Sequence, residues 1–399
     1  MLGVAMVQKT LRELDRIGGD AQLYIIHDDD RIIDAYFITT APVRGFEKIV
    51  LGKNPLFVIE AVMRICGICH AAHGIAAVEA FEDALGIMPP ANGRRLREII
   101  GLLNRVQSHL YHLTLLLPDI LPNEILSKKL LELINLINRV NDVMMRIGGA
   151  PTHPPYIAIG GVLKMPTETV INDSKKKLAD IIKQYIDYRE GLREFIDKCS
   201  SVVKLKKQYI SSDADILATH LFYGDRYAFD PSKITVKRYD EYRGNKEIGS
   251  KSTSMIALYD DRIVEASPRA RLQLFREYSG KSLWDLQEAR FIEIELVLHR
   301  ILELLDRIRP NAPHRTGTLV YEHGEGIGVY EAPRGTLVHF VELNDDGRVL
   351  KYKIIVPTMF NIPVLEKSLI DLEPSLGDLA ARLFDPCVPC STHCLRVRK

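Results

Sequence analysis

The sequence predicts an α+β fold that is mainly α, with long buried helices in a bundle-like core and peripheral β-hairpins. Three observations carry this. Residues 94–117, 124–147 and 168–198 place apolar side chains at three- and four-residue steps, the repeat of a helix face. Residues 337–343 (LVHFVEL), the turn NDDG and residues 348–356 (RVLKYKIIV) form a hairpin signal. Residues 22–40 hold two further apolar runs, around Ile25 and Ile33, separated by Asp28, Asp29 and Asp30.

Taken in order, the amino-terminal stretch MLGVAMVQKTLRELDR is too broken by charge for a secretory signal. The runs of 22–40 read as strands. From Phe57 the pattern turns helical, and 94–117 and 124–147 are rich enough in Leu and Ile to be nearly buried. Gly148-Gly149 and the prolines from Pro151 to Pro155 stop the second of these. Residues 168–198 are laced with Lys, Asp and Glu, which suits a solvated outer helix. Residues 211–267 read as irregular structure with short strands, 283–309 as a helix, 316–356 as β, and 366–384 as a short helix leading into the final cysteines. No repeat, low-complexity segment or linker interrupts the chain. One large domain over 1–399 is expected, with a β-rich segment (1–50), a mainly helical core (51–310) and a late β region with a cysteine-bearing tail (311–399).

A net charge of +1 gives no reason to expect nucleic acid or an anionic membrane as partner. No 18-residue apolar run suggests a membrane span, so a cytoplasmic protein is expected, reaching a membrane only through a partner. Six cysteines in 399 residues do not make a disulfide scaffold. Five are clustered: Cys66 and Cys69, Cys387 and Cys390, then Cys394; Cys199 stands alone.

Two motifs carry chemistry. The first is Arg64-Ile-Cys66-Gly67-Ile-Cys69-His70-Ala-Ala-His73, the second Asp385-Pro386-Cys387-Val-Pro-Cys390-Ser-Thr-His393. A CxxC turn brings two thiolates to one side, and two such pairs supply four soft ligands for zinc, iron or nickel. A structural zinc site normally separates its pairs by about 15–20 residues. Here more than 300 residues intervene, so the site must join the two ends of the fold. A zinc staple or two separate redox pairs would leave the surrounding histidines and acids without a purpose.

These motifs, RxCGxCxxxH and DPCxxCxxH, resemble the two signatures of nickel–iron hydrogenase large subunits. Further segments agree in order: Arg44-Gly-Phe-Glu47; Gln107-Ser108-His109 with His112; His153-Pro154 and Gly160-Gly161; Glu331-Ala-Pro333-Arg334-Gly335; and Val356-Pro357-Thr358 with Asn361. The resemblance implies that Cys66 and Cys387 bind nickel terminally, while Cys69 and Cys390 bridge nickel (Ni) and iron (Fe). It implies CO and cyanide ligands on the iron, installed by maturation proteins. Arg334 would lie over the open side of the metals, with Pro333 beside it and Asp385 near. Thr358 would hydrogen-bond a cyanide. Glu47, His393 and the Ile354 carbonyl would hold magnesium (Mg). Ser108 occupies a position that is Asp in many respiratory members. His73 would donate to a cysteine sulfur or a carbonyl. The reaction implied is reversible oxidation of H2, its electrons passed to an iron–sulfur small subunit. The quinone-site subunit of respiratory complex I resembles the same family but lacks the four cysteines.

Chemistry fits these roles. A Lewis-acidic metal polarises H2 and a nearby base takes the proton. A thiolate on nickel, Cys387 among them, is one candidate base and Arg334 the other. Arg is always protonated, which suits Arg334 better to an electrostatic role gripped by Asp385. His109 and His112, three apart on one helix, could form a metal pair, although the resemblance makes them supporting residues. The sequence departs from the family at Arg16-Ile-Gly18-Gly19-Asp20. Gly18 stands where a proton-relaying Glu is usual, so either Asp20, another acid or ordered water replaces it, or the usual relay is absent. In the family a protease removes an extension after the final His, which implies loss of residues 394–399.

Overall fold

Within residues 7–211, 214–317 and 319–393, which the computed structural model describes, the helix Ala91–Leu116 is the element on which the others assemble. It packs against the helices Asn123–Gly148 and Asp285–Asp306, while the long helix Glu168–Lys198 covers both of those partners. Its buried arginines are paired, as burial of charge demands. Arg97 donates to both carboxylate oxygens of Glu82, at 2.6 and 2.8 Å, and to Glu79 at 2.9 Å. The Asn123–Gly148 helix corrects one expectation. Only the stripe Leu133, Leu136, Ile137, Val140, Val143, Met144 and Ile147 is buried, and Leu131, Ile134 and Met145 are exposed. The outer helix starts where Thr167 Oγ1 accepts the Val170 amide and likewise buries one face, from Ile171 to Ile196.

Two three-stranded antiparallel sheets flank this helical core. The amino-terminal sheet runs Gln8–Leu14, Ala21–His27, Ile32–Thr39 in sequence order. Alternation in the middle strand turns Ala21, Leu23, Ile25 and His27 inward. The first strand adds to the two the sequence predicts. As an edge strand with one exposed Leu11, it carries little apolar signal.

The second sheet runs Gly324–Ala332, Gly335–Leu343, Val349–Ile355. Its first strand presents Gly324, Gly326 and Gly328 to the helix His70–Ala84, which begins just after Cys69. A Cβ on these glycines would lie 2.0, 2.2 and 1.9 Å from the carbonyl oxygens of Ala84, Ala80 and Ala76. Strand and helix therefore touch backbone to backbone. Gly328→Ala is expected to destabilise the protein by about 2–3 kcal/mol, the upper part of the usual overpacking range. A thermal melt checks this, and an unchanged Tm would mean that strand and helix separate at no cost.

After the sheet, the helix Pro357–Ser368 opens with proline at its first position, and Glu366 near its end accepts the Phe37 amide at 2.8 Å. The single helix expected over 366–384 is instead the end of this helix, a turn, and a separate helix Gly377–Leu383. Pro374 and the turn around it break the run.

Candidate metal centre

The two CxxC turns come from opposite ends of the chain and meet in the core. Cys66 lies in the turn between the helices Pro55–Met63 and His70–Ala84, where its Sγ accepts the Ile68 and Cys69 amides at 3.3 Å. Cys69 caps the second helix, so its sulfur stands at the positive end of the helix dipole. Cys387 caps the one-turn helix Val388–Ser391, and Cys390 lies within it. The sulfurs are 3.5 Å apart for Cys66 and Cys387, 3.2 Å for Cys69 and Cys390, and 2.8 Å for Cys387 and Cys390. All four lie within 4.8 Å of one another and all four residues are buried. Sulfur ligands around a tetrahedral ion sit about 3.8 Å apart at a metal–sulfur distance of ~2.3 Å, so the cluster has the dimensions of a metal site.

Electrostatics point the same way. The neighbouring Cys387 pulls the Cys66 thiol down through its hydrogen bond but pushes Cys69 up, and burial pushes Cys390 up. Four thiolates cannot share this space without cations between them, and the donor set fits soft metals.

Residues outside the motifs fasten the two turns together. Arg44 donates to the carbonyls of Ile65 and Pro389, one beside each cysteine pair. Asn104 donates to the Ile68 carbonyl at 2.8 Å and accepts the Ala71 amide at 3.2 Å. Sequence reasoning gave neither residue a role. A buried Arg or Asn beside a metal loop becomes legible only once its partners are placed. The amino-terminal segment closes the other side. Gly18 forms a parallel bridge to Cys387, and its carbonyl accepts the Val388 amide at 2.8 Å. Asp20 is exposed, and its backbone carbonyl accepts the Thr40 and Ala41 amides.

Above the sulfurs sits Arg334, 4% exposed, at the two-residue turn it forms with Pro333 between paired Ala332 and Gly335. Its Nε donates to the Asp385 carbonyl at 2.7 Å, one Nη to Asp385 Oδ1 at 2.9 Å and the other to Ser108 Oγ at 3.3 Å. Burial alone would raise the Asp385 pKa, but Arg334, His112 and Arg290 outweigh it and hold the carboxyl well below its usual range. A small cavity opens here between Cys69, Cys390, Arg334, Thr358, Leu337 and Val356. Thr358 Oγ1 accepts the Cys387 amide at 3.1 Å, which leaves its own proton free to donate.

The histidines divide. His73 lines the cavity, but its Nδ1 meets His339 Nε2 at 3.1 Å, and His339 Nδ1 meets the Tyr352 hydroxyl at 2.8 Å. The expected bond from His73 to a sulfur or carbonyl is thus replaced by a histidine pair, and burial lowers the His73 pKa to about 3. His109 and His112 turn to different carboxylates, Glu293 at 2.7 Å and Asp385 at 3.4 Å, and so do not form a metal pair. His393, Glu47 and Ile354 do converge. His393 Nε2 lies 2.8 Å from the Ile354 carbonyl and 3.5 Å from Glu47 Oε1, which also accepts the Ile354 amide at 2.8 Å. Residues 394–399 lie outside the described residues.

A family model described as nickel-dependent hydrogenase matches residues 44–117 and 281–393. The coenzyme F420 hydrogenase subunit alpha of Methanocaldococcus jannaschii is 36% identical over 386 residues, covering 94% of this chain and 91% of the relative. The corresponding protein of Methanothermobacter thermautotrophicus is 33% identical, with 95% and 93% covered. The sulfhydrogenase 2 subunit alpha of Pyrococcus furiosus is 28% identical, with 97% and 99% covered. The fold matches that of the Ni-Fe-Se hydrogenase from Desulfovibrio vulgaris Hildenborough with a TM-score of 0.83 at 22% identity, over 97% of this chain and 100% of that one.

Proposed function

The chain belongs to the nickel-dependent hydrogenases, and on that premise we propose which residues hold the metals and how they serve the reaction. It is the catalytic subunit of a nickel–iron hydrogenase, an oxidoreductase acting on H2, and its two CxxC pairs form the nickel–iron site. The observation that carries this reading is the convergence of four thiols from the two ends of the chain.

Cys66 and Cys387 are assigned to nickel alone, Cys69 and Cys390 to both metals. The cavity beside Cys69 and Cys390 suits the diatomic ligands of iron. Leu337 and Val356 offer an apolar wall for CO, while Arg334 and the Thr358 hydroxyl are donors suited to cyanide. When bound, nickel supplies the Lewis acidity that polarises H2 for heterolytic cleavage. Cys387 Sγ is the base that would hold the proton released there. Arg334 stays charged, oriented by Asp385 and Ser108, and stabilises the thiolate negative charge beneath it. Pro333 shapes the turn that delivers Arg334, and His73 closes the cavity floor against water. Exchange between D2 and solvent protons by the purified enzyme tests this directly, because splitting and re-forming H2 needs no net electrons. Exchange is expected without any electron acceptor; a nickel-loaded protein that shows none would refute the assignment.

In the family a Glu at the position of Gly18 usually relays the proton, and here that position has no acid. The φ of Gly18 lies outside the left-handed region that Gly19 occupies at +99°, and a Cβ there would meet the Pro386 carbonyl at 3.3 Å. Gly18→Glu is therefore expected to fold after a shift of a few tenths of an ångström and to place a carboxyl beside Cys387. D2–proton exchange should accelerate while metal content stays constant. An unchanged rate would mean that proton exit elsewhere, Asp20 included, is not limiting.

Glu47, His393 and the Ile354 carbonyl are assigned to magnesium, whose preference for oxygen ligands two of the three satisfy. Four of the six cysteines are committed to the site, which leaves too few for an iron–sulfur cluster. Electrons must pass to another protein, an iron–sulfur small subunit. The names of the relatives, one group after coenzyme F420 and another after sulfur, support an electron acceptor chosen by partner subunits. Maturation proteins supply CO and cyanide, and a protease cuts after His393. No helix among the described residues is long and apolar enough to cross a membrane, and we place the enzyme in the cytoplasm.

A further inference from the structure

We propose that Arg271 is the positioning residue for Arg334, an inference that rests on the role given to Arg334 above. The side chain of Arg334 is held by Asp385 and Ser108, but its main chain belongs to the two-residue turn Pro333-Arg334. That turn is gripped from behind. Arg271, in the helix Pro268–Phe275, donates one Nη to the Ala332 carbonyl at 3.0 Å and the other to the Pro333 carbonyl at 3.2 Å. Its remaining hydrogens go to carboxylates: Nε to Glu293 Oε1 at 2.6 Å, Nη2 to Glu293 Oε2 at 2.7 Å, and Nη1 to Glu331 Oε2 at 3.2 Å. All five N–H donors of the guanidinium are thereby used, at a residue with no solvent exposure.

The anchor is itself immobile. Glu293 also accepts from His109 at 2.7 Å and Arg105 at 3.3 Å. His109 adjoins Ser108, the residue that holds the far end of the Arg334 guanidinium. Arg105 in turn reaches the Glu331 carbonyl, one residue before Ala332. A single carboxylate therefore fixes both the helix that supplies Ser108 and the arginine that fixes the turn. Two carbonyls on adjacent residues cannot both be held by an ammonium that also serves two carboxylates, so lysine does not replace Arg271. Burying so many charges costs more than an apolar filling of the same space, and rigid placement of the 333–334 turn is what the arrangement provides.

The test is a double-mutant cycle in the purified enzyme complex, read by H2 oxidation and by the paramagnetic signal of nickel, with nickel and iron quantified in every variant. Arg271→Lys is expected to retain both metals and to lower kcat by about 10- to 100-fold, the scale of a 1 Å misplacement, with KM for H2 little changed. Combined with Arg334→Lys it should add nothing, and the double variant should show the nickel signal of Arg334→Lys alone. If Arg271→Lys does not accumulate as folded protein, Glu331→Gln, which neutralises one of the five acceptors, should show a smaller fall with the same lack of additivity. Wild-type kcat in a metal-loaded Arg271→Lys, or falls that multiply in the double variant, would overturn the proposal. If Arg334→Lys itself leaves turnover unchanged, the role of Arg334 fails, and that result is distinct from failure of Arg271 alone.

Discussion

Replacing Cys390 with serine is expected to abolish H2 turnover and strip the metal pair. The Cys390 sulfur lies 2.8 Å from that of Cys387 and 3.2 Å from that of Cys69, so it is shared by both halves of the site. A serine hydroxyl is a harder donor that stays protonated at neutral pH and cannot bridge two soft metals. Losses of about 10- to 100-fold are usual when only an outer partner of a metal ligand is removed, and loss of the ligand itself should exceed that range. Nickel and iron analysis beside an H2-oxidation assay checks this. Cys199→Ser is the matched control: Cys199 is half-buried, 3.9 Å from the Asp119 carbonyl and outside the site, and its loss should leave both measurements unchanged. Full metal and full turnover in Cys390→Ser would contradict the assignment.

Arg334→Lys is expected to keep both metals and lose about 10- to 100-fold in turnover, a loss of positioning rather than of charge. Arg334 makes three hydrogen bonds in two directions, to both the carbonyl and carboxylate of Asp385 and to Ser108. A lysine ammonium at the end of a flexible stem reaches one of these directions at a time. Asp385 and the cysteines beneath favour a cation at this site, so what is lost is the fixed pairing with Asp385 and not the charge. Metal quantification separates this from loss of the cofactor, and unchanged turnover in a fully loaded variant would remove Arg334 from catalysis.

The four cysteines were legible from their spacing, while Arg334 with Asp385 and the trio Glu47, Ile354 and His393 came only from the resemblance to a known family. CxxC spacing states which sulfurs share a turn, and a separation of more than 300 residues states that the chain ends must meet. What joins the motifs was not legible. Arg44 reaches Ile65 and Pro389, and Arg271 reaches Ala332 and Pro333, through contacts that no local pattern encodes. Composition misled over the Asn123–Gly148 helix, where many Leu and Ile suggested near-complete burial. The spacing of Leu133, Leu136, Ile137 and Val140 marks a single stripe, which leaves Leu131 and Ile134 outside it. The Gly324–Gly328 stripe was overlooked for another reason. Glycines at alternate strand positions carry no apolar signal, and their meaning appears only when the helix backbone lies against them.

The departure at Gly18 gains a physical sense from the fold. The glycine is the point at which the amino-terminal segment pairs with Cys387, so a side chain there would be aimed at the second metal-binding turn. Of the residues around it, Asp20 is exposed and Arg16 is engaged with Asp119 at 2.6 Å. Any acid that serves the proton path in place of Gly18 must therefore come from beyond this short segment or act through water.

Infrared spectroscopy of the purified enzyme tests the central claim most directly. A nickel–iron pair on Cys66, Cys69, Cys387 and Cys390 should give the triple-bond stretching bands of CO and cyanide on iron, and these should move when H2 is admitted. A protein holding zinc alone, with no such bands before or after H2, would contradict it.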